Sequence, residues 1–150
     1  MPFTLKTSLS EFDLQIDARI EAAENAIVNT LMYVGEACIT EARDNGSYID
    51  QTGNLRSSIG YVVVKNGKIV KQKVGEQVKD GTDGNRQAQS YLNRLAEKHQ
   101  TGICLIVVAG MSYAVYVEGR GKNVLTSAEL LAERMVPQLL EQIGFIVKRK

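Results

Sequence analysis

Ile59-Gly60-Tyr61-Val62-Val63-Val64-Lys65-Asn66-Gly67-Lys68-Ile69-Val70 is the stretch whose reading decides the fold. Ile59 to Val64 is rich in β-branched residues, which suit a pleated strand. Asn66-Gly67 is the preferred two-residue hairpin turn, because both positions need φ > 0. The chain returns from Lys68 to Val78, with Val70, Val74 and Val78 alternating with polar residues. The spacing predicts a β-hairpin over residues 57–78, with turn chemistry in the preceding linker, residues 47–56.

Upstream, Leu9, Phe12, Ile16, Ile20, Ala23, Ile27, Leu31, Val34, Cys38 and Ala42 recur at spacings of three or four. That period is a helix carrying one apolar stripe, predicted over residues 9–44. Ser8 and Glu11 fit a capping box, with Ser10 as an alternative cap, and Asn45-Gly46 suits the end. At ~1.5 Å per residue the helix reaches on the order of 50 Å. Gly35 marks a bend or break. A helix this long offers part of its stripe to another chain.

Downstream, Lys79-Asp80-Gly81-Thr82-Asp83-Gly84-Asn85 has turn residues and no large apolar side chain, and reads as a mobile loop. A helix follows over residues 86–100, with Ala88, Tyr91, Leu92, Leu95 and His99 on one side. Residues 102–118 read as a strand pair. Gly102 to Ala109 is continuously apolar and so expected in the centre of the sheet. Tyr113, Val115 and Val117 alternate in the second strand, after a turn at Gly110-Met111-Ser112. Thr126 and Glu129 fit a capping box for a last helix, residues 127–143, with Pro137 inside it. Phe145 to Val147 is a candidate edge strand, and Lys148-Arg149-Lys150 a charged end that discourages further pairing. The expectation is a single α+β domain, 1–150. It has a mainly antiparallel sheet of about four to five strands, the long N-terminal helix and two further helices.

The bulk composition narrows function mostly by exclusion. In 150 residues, 44% are hydrophobic and the net charge is +1. That suffices for one core, and the near-neutral balance gives no general argument for a nucleic-acid, membrane or acidic partner. Met1 to Ser10 has no secretory pattern, and no run approaches the ~20 apolar residues of a membrane span. Cys38 and Cys104 read as buried thiols of a reducing compartment. With one histidine they are too few for a structural zinc site.

Catalytic patterns fail one by one. Gly110-Met111-Ser112-Tyr113-Ala114 is half of a nucleophile elbow. His99 and Cys104 could form a thiol dyad only if the strand exposed the sulfur. Asp80, Asp83 and Asn85 lack the alternation and closing glutamate of a calcium loop. Gly119-Arg120-Gly121-Lys122 lacks the first glycine and the final Ser or Thr of a phosphate loop. The sequence reads as no enzyme, with no cofactor and no metal.

Two short segments about sixty residues apart say more. Thr52-Gly53-Asn54-Leu55-Arg56-Ser57-Ser58-Ile59 and Tyr113-Ala114-Val115-Tyr116-Val117-Glu118-Gly119-Arg120-Gly121 together resemble the tail-completion, or head–tail connector, proteins of long-tailed bacteriophages. Members often carry Thr where Arg120 stands here. The resemblance implies a phage or prophage structural protein, made in the bacterial cytoplasm and resident in the virion. It would join head connector to tail as a ring, commonly sixfold, contacting itself and neighbouring head or tail proteins, with no membrane partner. DNA would pass through the channel. Arg56 and Glu118, charged groups at the ends of apolar strands, are expected to pair within or between subunits, or to be solvated. Arg56, Lys79, Asp80, Asp83, Asn85, Glu118 and Arg120 are the candidate interface residues. Two other readings remain open: a cytoplasmic dimeric binding or regulatory module without catalysis, paired through the long helix, and a small enzyme with a pocket near His99 and Cys104.

Overall fold

The computed structural model describes residues 9–148. The Ser8 cap, nearly all of Met1 to Ser10 and the last two residues of the charged end lie outside them. The described chain runs α1 (Leu9–Asp44), α2 (Asn54–Ser57), β1 (Ile59–Lys65), β2 (Lys68–Val74), α3 (Thr82–Ala96), β3 (Ile103–Ala109), α4 (Ala114–Gly119) and α5 (Thr126–Gln142). It is α+β, with one three-stranded antiparallel sheet in the order β2-β1-β3.

The hairpin forms as expected. Asn66 and Gly67 take φ of 50° and 80°, and the tip is tied to the start of β3. There the Asn66 N–H donates to the Gly102 carbonyl at 2.8 Å and the Gly102 N–H to Asn66 Oδ1 at 2.9 Å. The return strand is shorter than expected and stops at Val74. A bulge lies opposite Val63 and Val64, which pair with Lys71 and Ile69, so Val70 drops out of register.

The central strand is β1, not the apolar run at 103–109. All of β1 except Lys65 is buried. Cross-strand alternation sends Ile59, Tyr61 and Val63 to one face and Val62 and Val64 to the other. Helices α1 and α5 cover the first face, and α3 the second. β3 is apolar because helices lie over both its faces, which an edge position permits as readily as a central one. No described strand pairs with its outer edge.

Two further expected strands are not strands. Residues 114–119 form the short helix α4, and residues 145–148 have no regular structure. Short apolar runs cannot be assigned by periodicity alone. Ala114 and Val117, three apart, pack against the body, while Val115 and Tyr116 face solvent. That is a one-turn helical face. Likewise α3 starts at Thr82 and ends at Ala96, so residues 82–85 are its first turn and the exposed His99 lies beyond its end. Helix α5 runs through Pro137.

Gly35 does not break α1, which is continuous over 36 residues. Its role is contact. A Cβ there would lie 2.5 to 2.8 Å from the Tyr61 ring, so its absence lets the helix settle onto β1. The Tyr61 hydroxyl then donates to Glu36 Oε1 at 2.8 Å. Burial, and then the Glu36 carboxylate, push the phenol pKa up. Lys73 closes the cluster on Glu36 Oε2 at 2.7 Å. Replacing Gly35 by Ala should destabilise the fold by about 1–3 kcal/mol through overpacking, despite alanine's better helix propensity. Urea denaturation reads this directly. An unchanged midpoint would mean that Tyr61 moves aside freely and does not set the helix–sheet distance.

Candidate assembly surfaces

The segment from Tyr48 to Ser58 ties together three parts of the chain. Asp50 is buried, and its carboxylate accepts from the Gly53 N–H at 3.1 Å and the Arg56 N–H at 2.9 Å. Gly53 sits at φ 80°, and a Cβ there would stand 1.9 Å from the Val78 carbonyl oxygen; no other residue fits that turn without moving the 78–79 backbone. Ser57 Oγ accepts from the Val78 N–H at 2.8 Å, and Asn54 Oδ1 from the Gly84 N–H at 3.1 Å. The Lys79 ammonium donates to the Asp50 carbonyl at 2.6 Å. Asn85, in the amide orientation that satisfies both neighbours, donates to the carbonyls of Ser57 and Gly75.

Residues 79–85 are therefore seated on the protomer itself. Lys79 and Asn85 spend polar groups inward, and Asp83 forms an ion pair with Arg86. Asp80 remains exposed. Arg56 is also an internal tie. Its Nε donates to the Arg43 carbonyl at 3.0 Å, a terminal nitrogen reaches the Gly46 carbonyl at 3.4 Å, and the guanidinium lies 5.3 Å from the Tyr48 ring centroid. It thus satisfies carbonyls at the end of α1. Burial pushes the Tyr48 phenol up to about 12.

Glu118 performs the equivalent task for α5. Its Oε2 accepts from the N–H groups of Val124 and Leu125, and Oε1 from that of Thr126, each at 3.0 Å. The Thr126 hydroxyl also donates to it. The cap that Thr126 and Glu129 were expected to supply locally comes instead from a carboxylate on the preceding helix. Asn123 completes the joint: its amide nitrogen donates to the Asn45 carbonyl at 2.9 Å, and its Oδ1 accepts from the Ser127 N–H at 3.0 Å. Arg56 and Glu118 do not pair with each other within the protomer, since each is committed to a different helix end. Arg120 is exposed just past α4.

The two segments nevertheless meet in space. Leu55 of the first and Ala114 of the second are buried in one cluster with Tyr48 and Val124. The Tyr113 phenol, raised by burial and by the Asp50 charge, is drawn partly back by a hydrogen bond with Thr52.

Around this joint the surface is apolar. Val115 and Tyr116 stand 77% and 74% exposed on the outer side of α4. Beside them a groove of about 540 Å³ is lined by Tyr91, Leu95, Ile106, Val108, Val115 and Leu125, so it runs against β3. Of the two carboxylates lining the groove, Glu118 is consumed by capping and Glu129 lies in the first turn of α5. The Cys104 thiol is pushed up by burial, the opposite of an activated nucleophile. The described residues contain no cluster of metal-ligating side chains and no helix long and apolar enough to cross a membrane.

A second surface is the first part of α1. Every residue from 9 to 22 is exposed, so roughly 20 Å of helix stands clear of the body. The residues that sequence reasoning missed are the anchors Asp50, Asn123 and Ser47, whose Oγ accepts from the Asn123 N–H at 2.7 Å, and the exposed pair Val115 and Tyr116. For Asp50 a signal existed: an aspartate in a turn-rich segment commonly accepts from nearby backbone N–H groups. The others depend on contacts between distant segments.

The fold places the chain among small α+β proteins with helices on both faces of an antiparallel sheet. No family model, curated protein or solved structure matches it.

Two predictions follow from the capping geometry. Burial alone would raise the Glu118 pKa, but the Thr126 hydroxyl and the backbone N–H groups of Leu125, Thr126 and Val124 outweigh it and hold it below 4.5. Its stabilising contribution is complete above the unfolded-state value and is lost as pH falls through the lower folded value. Glu118→Gln should cost about 1–2 kcal/mol near neutral pH and lose less melting temperature on acidification than the wild type, because the lowered Glu118 carboxyl no longer contributes. Equal acid sensitivity in both proteins would place that sensitivity elsewhere. Arg56→Ala should lower the melting temperature of the isolated protein, at a cost of about 1–3 kcal/mol. A stable variant defective only in association would instead make Arg56 an interface residue.

Proposed function

We propose that the protein is a structural subunit of a phage or prophage virion, joining head connector to tail as a tail-completion or head-closure ring component. The observation that carries this reading is the convergence of the two resembling segments, with Leu55 and Ala114 in one buried cluster. Segments that recur together because they build one joint should touch, and these do.

Exposure supports the same reading. A virion ring subunit must meet copies of itself and also its head or tail neighbours, so it needs more than one kind of exposed surface. The projecting first part of α1 and the apolar area around α4 and β3 are unlike in shape and charge, as such separate contacts require. Arg56 and Glu118 act in this reading by holding helix ends in place, and so present those surfaces without touching a neighbour. Function here is complementarity of surfaces, with DNA passing through the assembled channel and no chemistry performed on it.

The exposed stripe of α1 is also what a cytoplasmic module paired through its long helix would use. Light scattering across a wide concentration range separates the two. The ring reading expects a closed assembly of more than two subunits, commonly sixfold, seen as rings by negative-stain imaging. A concentration-independent dimer would count against it and in favour of the helix-paired module.

A further inference from the structure

The exposed first part of α1 carries two parallel rows. Phe12, Ile16 and Ile20 recur every four residues, and so do Asp13, Asp17 and Glu21, one position further round the helix. The apolar row is 53%, 40% and 52% exposed, too much open surface for a helix whose only task is to cover its own sheet. Between residues 9 and 22 the acids are Glu11, Asp13, Asp17 and Glu21, against a single cation, Arg19. Two such arms laid side by side would set like charges along their seam, which disfavours a symmetric pair.

A basic counterpart lies on β2. Lys68, Lys71 and Lys73 of β2, with Lys65 at the end of β1, all point to the α1 side of the sheet. Lys68 is paired in register with Lys65, Lys71 with Val63, and Lys73 with Tyr61, and directly opposed residues share a face. The bulge at Val70 is what puts Lys68 and Lys71, three apart, on the same side. This row already receives acids from α1 of its own chain: Lys65 binds Glu24 at 2.6 Å and Lys73 binds Glu36 at 2.7 Å. Lys68 and Lys71 are exposed and form no ion pair within contact distance among the described residues, although Lys71 stands near enough to Glu36 to help hold that carboxyl low. Val70, the bulged residue between them in the chain, is 48% exposed. The lengths agree: the fourteen exposed residues of α1 span roughly 21 Å of helix, and the seven of β2 roughly 23 Å of strand.

We propose that residues 9–22 of α1 dock along β2 of a second copy, with Asp13 and Asp17 against Lys68 and Lys71 and the Phe12, Ile16, Ile20 row over Val70 and the lysine stems. The contact is head-to-tail, so it propagates from copy to copy. It repeats between chains the acid-on-lysine arrangement that α1 makes within its own chain. Lysines and a bulge also protect β2 from strand pairing, which leaves a helix as the fitting occupant. The inference rests on the ring reading for its partner, a second copy of this chain.

The test is a charge swap followed by light scattering, with circular dichroism melting to confirm that each variant folds. Asp13→Lys with Asp17→Lys reverses the arm; Lys68→Glu with Lys71→Glu reverses the strand. All four side chains are exposed, so both variants should still fold, with the strand-reversed protein melting somewhat lower because Lys71→Glu sets a like charge near Glu36. Each reversed protein alone should associate at least about tenfold more weakly than wild type. An equal mixture of the two should recover assembly, because each arm then meets an opposite strand. Wild-type assembly should also weaken with salt. A strand-reversed protein that associates like wild type would overturn the proposal in favour of arm–arm pairing. A ring indifferent to both reversals, or a mixture that fails to recover, would overturn this contact while the ring reading stands. A wild type that stays monomeric at every concentration would overturn self-docking and require a template for any ring.

Discussion

The close approach of α1 to β1 at Gly35 and Tyr61 is the constraint on which the rest depends. Tyr61 is fully buried, yet its hydroxyl must find a partner. Only a helix without a side chain at position 35 can come near enough for Glu36 to provide one. Once α1 is fixed at that distance, Val34, Cys38 and Ala42 are buried beside the sheet, and α5 packs alongside to complete the layer. The same placement carries the first part of α1 past the hairpin tip, because Glu24 already stands at Lys65, the last residue of β1. Projection of the arm is thus a consequence of where the helix is anchored.

The irregular segments are held with similar economy of means. Asp50 organises one turn, Ser57 and Asn54 clamp residues 78–84 onto it, and Arg56 closes the end of α1. Glu118 and Asn123 do the same for the start of α5. Buried backbone groups outside helices and strands must be paired, and here one charged or amide side chain at each joint satisfies several. That explains why polar residues dominate segments that lie between apolar elements.

These joints separate two roles that charged residues share in a sequence. Arg56, Lys79 and Glu118 could have been docking residues by type, and in space they are internal ties. Asp13, Asp17, Lys68 and Lys71 look in the sequence like ordinary solvated charges. Their interest comes from alignment into rows, set by a helix that overshoots the sheet and a strand that bulges.

The sequence by itself determined the long helix, the Asn-Gly hairpin, the last helix and the α+β class, because each follows from local period or turn chemistry. It also held the two paired segments, legible only as a resemblance. Tertiary structure alone decided that Ile59–Lys65 and not the more apolar Ile103–Ala109 is central, since both are covered on two faces and composition cannot tell centre from edge. It decided that residues 114–119 coil, because Ala114 and Val117 find a shared pocket with Leu55 that alternation could not reveal. And it decided what Gly35, Arg56 and Glu118 do. Their roles are set by partners 26, 13 and 8 residues away in the chain, namely Tyr61, the Arg43 carbonyl and Thr126, and which distant or neighbouring group a side chain meets is fixed only when the layers pack.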